Sequence, residues 1–244
     1  MTEDHFLGGQ VILRQPQHGY RAATDPVLLA AAVPVENGDK VLDLGCGVGA
    51  AALCLATRVP SLDLHGLEIQ AEYADLAEQN AAVNRKQLTV HRGDIRAMPS
   101  ALKEHVFDAV MLNPPWHEAA GSGSPRPDRD LAHRLDTSLT VWLAAALSRT
   151  VPGGWIVLIQ RAEWLPEVLN ALTGRAGGIA VLPLAAREGR FAKRVIVKAR
   201  KGAKGPFRLA PPLVLHHGLA HLSDQDDFST DARAILRDAA PLNF

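Results

Sequence analysis

The chain has 244 residues, of which 47% are hydrophobic, and its 26 Lys+Arg are balanced by 26 Asp+Glu. That length suits one large domain, or one domain with small additions, and the ordinary apolar and charged fractions argue against global disorder. A net charge of +0 excludes a wholly basic surface, though not a local basic patch. The only cysteines, Cys46 and Cys54, cannot form a disulfide framework. On or beside one helix, about 1.5 Å per residue holds them roughly 12 Å apart, beyond disulfide reach. No zinc ribbon can be built from one pair. No signal peptide and no run of 18 apolar residues is visible, so the expectation is a reduced, cytosolic protein with no membrane span and no metal.

The first 20 residues are mixed, with a short strand expected at Val11 to Leu13 and a turn at Gln15 to Gly19. Thr24 or Asp25 can cap a helix with Pro26 in its first position. That helix runs through Val27, Leu28, Leu29 and an alanine run, and stops before Pro34. A strand–helix rhythm follows. Strands are expected at Lys40 to Leu44, Leu62 to Leu67, Leu88 to His91, Phe107 to Leu112 and Gly154 to Gln160. Helices are expected at Ala50 to Arg58, Gln70 to Arg85, Leu139 to Thr150 and Leu165 to Thr173. Two further strands, Ile179 to Leu184 and Arg194 to Lys198, have too short a connector for a parallel crossover and should be antiparallel. The implied fold is α/β: a Rossmann-like, doubly wound, mostly parallel sheet with an antiparallel last strand. Ala119 to Asp130 reads as a mobile Gly/Ser/Pro loop. Beyond Lys201 no periodicity is clear until a capped helix at Ser229.

Asp43-Leu-Gly-Cys-Gly-Val-Gly49 joins a strand to a helix. Its glycines permit a tight turn and a close backbone approach by a ligand, and the helix start adds free N–H groups. The spacing differs from the dinucleotide fingerprint, and Asp43 would repel a pyrophosphate while favouring an ammonium group. Glu68, ending the second strand of the rhythm, can accept both hydroxyls of a ribose. Asp94, ending the third, can accept from an exocyclic amine. Alone, each acid reads more simply as a helix cap or a solvated turn residue. Together they fall at the carboxyl ends of consecutive strands, where open α/β sheets bind ligands.

These residues resemble the class I S-adenosylmethionine (SAM)-dependent methyltransferases over about residues 36 to 160. The resemblance implies that Asp43 to Gly49 holds the methionine part of SAM, Glu68 the ribose, and Asp94 the adenine. The expected cofactor set is Thr24, Asp43, Gly45, Cys46, Gly47, Gly49, Glu68, Ile69, Asp94, Ile95 and Asn113. Cys46 is expected to be a small loop packer rather than a nucleophile.

Asn113-Pro114-Pro115-Trp116 follows the fourth strand of the rhythm. The prolines fix φ and leave carbonyls pointing in set directions. The Asn113 side-chain oxygen and the Pro114 carbonyl can converge on one amino group, and Trp116 offers a face for a planar base. Such an NH2 is a poor nucleophile because its lone pair is conjugated. Two acceptors draw it toward a tetrahedral shape, so catalysis would rest on orientation and electrostatics. The bland alternative is a rigid turn with a buried Trp. The tetrapeptide is similar to that of amino-nitrogen methyltransferases, whose targets include adenine N6, guanine N2 of ribosomal RNA and glutamine N5 of release factors.

The start, FLGG (6–9) and RQPQHGYRAATDPVLLAA (14–31), resembles the bacterial valine-tRNA adenine-N6 methyltransferases, as do RVIVKARKG (194–202), PLVLH (212–216) and ARAILR (232–237). The resemblance implies N6-methylation of adenine in RNA, with tRNA as the partner. It also implies an N-terminal segment over 1–35 that closes over the cofactor, a methyltransferase domain over 36–200, and a C-terminal extension over 201–244. The segment from His217 to Asp227 departs from the family by being longer and rich in His and Asp. Other readings are a protein glutamine-N5 or ribosomal-RNA guanine-N2 methyltransferase, or a non-catalytic SAM- or RNA-binding module.

Charge agrees with an RNA partner. Arg187, Arg190, Lys193, Arg194, Lys198, Arg200, Lys201, Lys204 and Arg208 face Glu188 alone, with Phe191 and Phe207 interleaved. Arg190, Lys193 and Arg194 are the expected RNA contacts; a solvated hairpin is the alternative. His216, His217, His221, Asp224 and Asp226 fit no metal spacing and read as surface loop. Ser122 and Ser124 have no paired His, and His117 either orients substrate or is merely solvated.

Overall fold

The computed structural model describes residues 1–19, 21–115, 137–218 and 227–244. Trp116, His117, the loop expected at 119–130, and His221, Asp224 and Asp226 lie outside the described residues.

The chain opens with a hairpin of β1 (Thr2–Phe6) and β2 (Val11–Gln15), followed by α1 (Thr24–Ala32). Then come β3 (Lys40–Leu44), α2 (Ala50–Arg58), β4 (Asp63–Glu68), α3 (Ala71–Val83), β5 (Thr89–Arg92), the short α4 (Ser100–Lys103) and β6 (Phe107–Leu112). Next are α5 (Leu139–Arg149), β7 (Thr150–Arg161), α6 (Leu165–Leu172), β8 (Ala176–Ala185), β9 (Arg194–Lys201), β10 (Arg208–Leu209), β11 (Leu213–Val214) and α7 (Thr230–Asp238). The nine-stranded sheet runs β10-β8-β9-β7-β6-β3-β4-β5, and β11 also pairs with β8. Strands β5, β4, β3, β6 and β7 are mutually parallel. As the short connector demands, β9 is antiparallel to both β7 and β8. The order reverses between β3 and β6, and such a reversal opens a crevice at the carboxyl edge of the sheet.

The central strands are near-continuous apolar runs because both faces are covered. Met111 and Val157 point to one face, with α1, α2 and α7. Leu44, Leu112 and Leu158 point to the other, against α5 and α6. Leu7, Val11, Leu13, Ile235 and Leu236 join the first cluster, so both ends of the chain pack into the core of the sheet domain. Among the described residues no helix is long and apolar enough to cross a membrane.

Three expectations need correction. First, α1 begins at Thr24 with Ala23 at its cap, and no side chain caps it. Asp25 instead pairs with Arg194 at 2.6 Å, since burial of its carboxylate calls for a cation rather than an amide. Second, β1 carries Glu3, Asp4 and His5 and has no apolar face of its own; pairing with β2 makes it a strand. Third, the region after Lys201 contains β10 and β11, two-residue strands that shield the outer edge of β8 and are too short to show a period.

Candidate active site

The buried β3 delivers Asp43 and the glycine loop to the crevice. Gly45, Gly47 and Gly49 all have positive φ (80°, 56° and 82°), a conformation that side chains with a Cβ resist. A Cβ on Gly45 would lie 2.7 Å from the ring of Trp142, so glycine also permits that close packing. The loop is held from the neighbouring strand: the amides of Gly45 and Cys46 both donate to the Leu67 carbonyl, at 2.8 and 3.0 Å. Cys46 is buried, and its sulfur fills the space beside Gly66 where a Cβ would stand, which is a packing role. Burial pushes the Cys54 thiol up to about 12, which removes it as a nucleophile.

Asp43 is 3% exposed and Glu68 1% exposed. Asp43 Oδ2 accepts the Ala52 amide at 3.2 Å, so it does cap α2. Burial raises its pKa to about 7, opposed by the Ala52 amide and reinforced by the Glu68 charge. Glu68 accepts the Gly47 amide through Oε2 and the Gln70 amide through Oε1, both at 2.9 Å. Two neighbouring buried carboxylates favour a cation between or beside them. Neither is a solvated turn residue.

Asp94 is closer to that simpler reading. It lies two residues past β5, accepts the Arg96 amide at 2.8 Å, and forms an ion pair with the Arg96 guanidinium at 2.6 Å. It nevertheless lines the crevice. A cleft is bounded by Gly45, Leu67, Glu68, Ile69, Gly93, Asp94, Ile95, Thr137 and Trp142. Its lining is acidic at Glu68 and Asp94 and apolar at Ile69, Ile95 and Trp142. Thr137 and Trp142 are additions to the sequence reading; the signal available was Ser138, which caps α5 through Val141 and so places the first turn of that helix at the cleft.

Register places the rest. Asp43 pairs with Met111 and Gly66, and Leu44 with Leu112 and Leu67. Asn113, Gly45 and Glu68 are therefore the next residues on three adjacent strands. At about 4.8 Å between strands, Asn113 and Glu68 are roughly 10 Å apart across the loop. Pro114 is buried and Pro115 half-buried directly beyond. Thr24 starts α1 beside Asp25, which Arg194 ties to β9.

The basic segment is divided. Arg187, Arg190, Lys193 and Arg194 lie at the carboxyl edge of the parallel strands, where β9 begins opposite Arg161. Lys198 stands mid-sheet under the Phe244 ring at 4.0 Å. Arg200 and Lys201 donate to Gly153 and Thr150 near the opposite edge. Arg187 pairs with Asp227, which also holds His216 at 2.6 Å. That is a structural use for the described part of the His/Asp-rich stretch. Among the described residues no group of three His, Cys, Asp or Glu is placed to hold a metal.

The chemistry of the cleft suits a ligand with a cationic end, a diol and a flat apolar group, and SAM has all three. Residues 23–135 match the family model of the methyltransferase small domain. The tRNA1(Val) (adenine(37)-N6)-methyltransferase of Yersinia enterocolitica is 37% identical over 118 residues, 47% of each chain. The chain thus spans about half the length of the curated relatives it matches. A solved protein of Agrobacterium tumefaciens assigned as an O-methyltransferase superposes with a TM-score of 0.70 at 24% identity, covering 89% of this chain and 98% of its own. One of Listeria monocytogenes assigned to the class I SAM-dependent methyltransferases superposes with a TM-score of 0.54 at 18% identity, covering 76% of this chain and 62% of its own. Residues 23–135 of this chain match a methyltransferase small domain, and the fold that carries them is that of the class I methyltransferases.

Proposed function

We propose that this chain methylates the exocyclic N6 of adenine in RNA, with tRNA as its substrate and SAM as the methyl donor. The observation that carries the reading is the level alignment of Asn113 with Gly45 and Glu68 beside two buried carboxylates. The name of the Yersinia relative supports the choice of adenine and tRNA. Asp43 to Gly49 would hold the cationic end of SAM, Glu68 its ribose, and Ile69, Asp94, Ile95 and Trp142 its base. Bound there, SAM supplies a methyl group made electrophilic by a cationic sulfur.

The protein's own part is orientation. The Asn113 side-chain oxygen accepts one N–H of the amine and the Pro114 carbonyl accepts the other, which aims the nitrogen lone pair and stabilises the positive charge it gains. No base is needed before transfer, because the amine is neutral and its extra proton leaves afterwards. Trp116 would stack on the base. Arg190 and Lys193 would meet phosphates, while Arg194 stands in its ion pair with Asp25.

The test is nucleoside mass spectrometry of total tRNA from cells with and without this protein, and of the same tRNA after incubation with purified protein and SAM. N6-methyladenosine that appears only with the protein is the expected result. An unchanged nucleoside profile in both arms rejects the reading.

A further inference from the structure

Phe191 is 98% exposed, more than any other large apolar side chain among the described residues. It sits at the tip of the connector between β8 and β9, between Arg190 and Lys193. Both ends of this connector are anchored. Arg187 pairs with Asp227 and donates to the His217 carbonyl. Arg194 pairs with Asp25, and the Lys193 carbonyl accepts the Ala162 amide at 2.9 Å. Neither Arg190 nor Lys193 has a carboxylate partner among the described residues, and Glu188 is the one acid within the turn.

Position matters as much as composition. Leu112 pairs with Leu158, whereas β9 starts opposite Arg161, three residues further along β7. At about 3.3 Å per residue the turn stands roughly 10 Å above the carboxyl edge, and two strand spacings put it about 10 Å to the side of Asn113. It therefore stands beside the candidate active site, within the span of a few nucleotides. The other aromatic of the basic segment, Phe207, is 53% exposed. It precedes Arg208, which pairs with Ala180 at the far rim of the sheet, beyond β9 and β8.

We infer that the turn 186–193 is an RNA-docking surface, on which Phe191 stacks against an unpaired base near the target nucleotide while Arg190 and Lys193 contact flanking phosphates. The inference rests on the proposed RNA substrate. A single exposed ring flanked by cations matches a base with its phosphates. An apolar protein partner would call for a contiguous apolar patch. The anchored ends keep the ring presented, so little ordering is needed when it binds.

The experiment titrates unfractionated bacterial tRNA lacking N6-methyladenosine into the full chain at several salt concentrations, with SAM binding measured in parallel. Phe191→Ala should weaken tRNA binding about tenfold. Phe191→Trp should retain affinity, and Phe207→Ala should match the unaltered protein. Arg190→Gln with Lys193→Gln should lower the salt slope by about 1.4, since a single strand contributes roughly 0.7 per phosphate. SAM affinity should stay constant throughout. Unchanged tRNA affinity in Phe191→Ala, or an equal loss in Phe207→Ala, overturns the docking surface and leaves the RNA reading standing. Absence of tRNA binding by the unaltered protein overturns both. Phe191-dependent capture of an acidic peptide in place of tRNA reassigns the turn to a protein partner.

Discussion

Glu68 closes the glycine loop from the neighbouring strand: its Oε2 accepts the Gly47 amide at 2.9 Å while its Oε1 is held by the Gln70 amide. A ligand-binding role for Glu68 and a structural one are thus the same geometry, because the carboxylate that supports the loop also faces the cleft. Each carboxylate oxygen accepts more than one hydrogen bond, so a diol can be added without releasing either amide.

Replacing Glu68 should accordingly have two readouts. Glu68→Ala should weaken SAM binding at least about tenfold, since hydrogen bonds to a charged acceptor cost about 1.5–3 kcal/mol each. It should also lower stability by about 1–3 kcal/mol by leaving the buried Gly47 amide without an acceptor. Calorimetry and urea unfolding separate the two. Unchanged SAM affinity would remove Glu68 from the ligand set.

The raised pKa of Asp43 makes stability and binding depend on pH in a definite direction. Its folded value of about 7 lies above the ordinary 3.8, so the folded state favours the protonated form. That contribution is fully present below pH 4 and is lost as pH rises through 7. It amounts to up to roughly 4 kcal/mol. His65 and His91, both lowered chiefly by burial, act oppositely and cost stability as pH falls. The difference between the unaltered protein and Asp43→Asn isolates the aspartate: the variant should be the more stable at pH 8 without ligand and equal at pH 4. A cationic ligand should drive the proton off, so SAM binding at pH 6 should release about one proton, visible as a buffer-dependent calorimetric enthalpy. No buffer dependence would show that the bound cation does not reach Asp43.

Asn80, fully buried on α3, binds the N-terminal hairpin and the glycine loop at once. Its oxygen accepts the Arg14 amide at 2.8 Å, and its NH2 donates to the carbonyls of Arg14 at 3.1 Å and Val48 at 3.0 Å. One turn later Asn84 repeats the pairing with Ile12. Asn80→Ala should cost about 3 kcal/mol, one for each lost bond. It should weaken SAM binding as well, through Val48. Asn80→Asp should be no better, because two donors become lone pairs facing carbonyls. Urea midpoints and SAM titration give the answer; a SAM affinity unchanged in both variants would uncouple the hairpin from the loop.

These contacts explain what was legible in the chain. Asp43, the three glycines and Glu68 could be placed because strand ends and positive-φ demands are local. The order of Phe107–Leu112 before Asn113 was readable for the same reason. Asn80 was visible only as one residue of the helix expected at Gln70 to Arg85, since nothing local shows that its amide replaces a strand partner for β2. Arg187 and Arg194 read as free charge in a basic run, but their partners, Asp227 and Asp25, are distant in sequence. Trp142 looked like an ordinary helix residue until Gly45 was brought against its ring.

Asn113 provides the decisive test of mechanism. It follows a fully buried strand end and is level with Gly45, so the fold should survive its truncation. In the proposed mechanism its contact with the amine would matter most as the nitrogen becomes tetrahedral and positive, which is a transition-state interaction rather than uniform binding. Asn113→Ala should therefore lower kcat by about 10²–10³, by analogy with deleting one oxyanion-hole donor. SAM affinity and KM for tRNA should change far less. Asn113→Asp still offers an acceptor and should keep more activity than Ala, whereas Trp116→Ala should raise KM as well as lower turnover by removing a stacking face. Single-turnover methyl transfer, with SAM binding measured alongside, distinguishes these outcomes. Transfer at the unaltered rate by Asn113→Ala would reject converging acceptors as the source of catalysis, even with SAM bound as proposed.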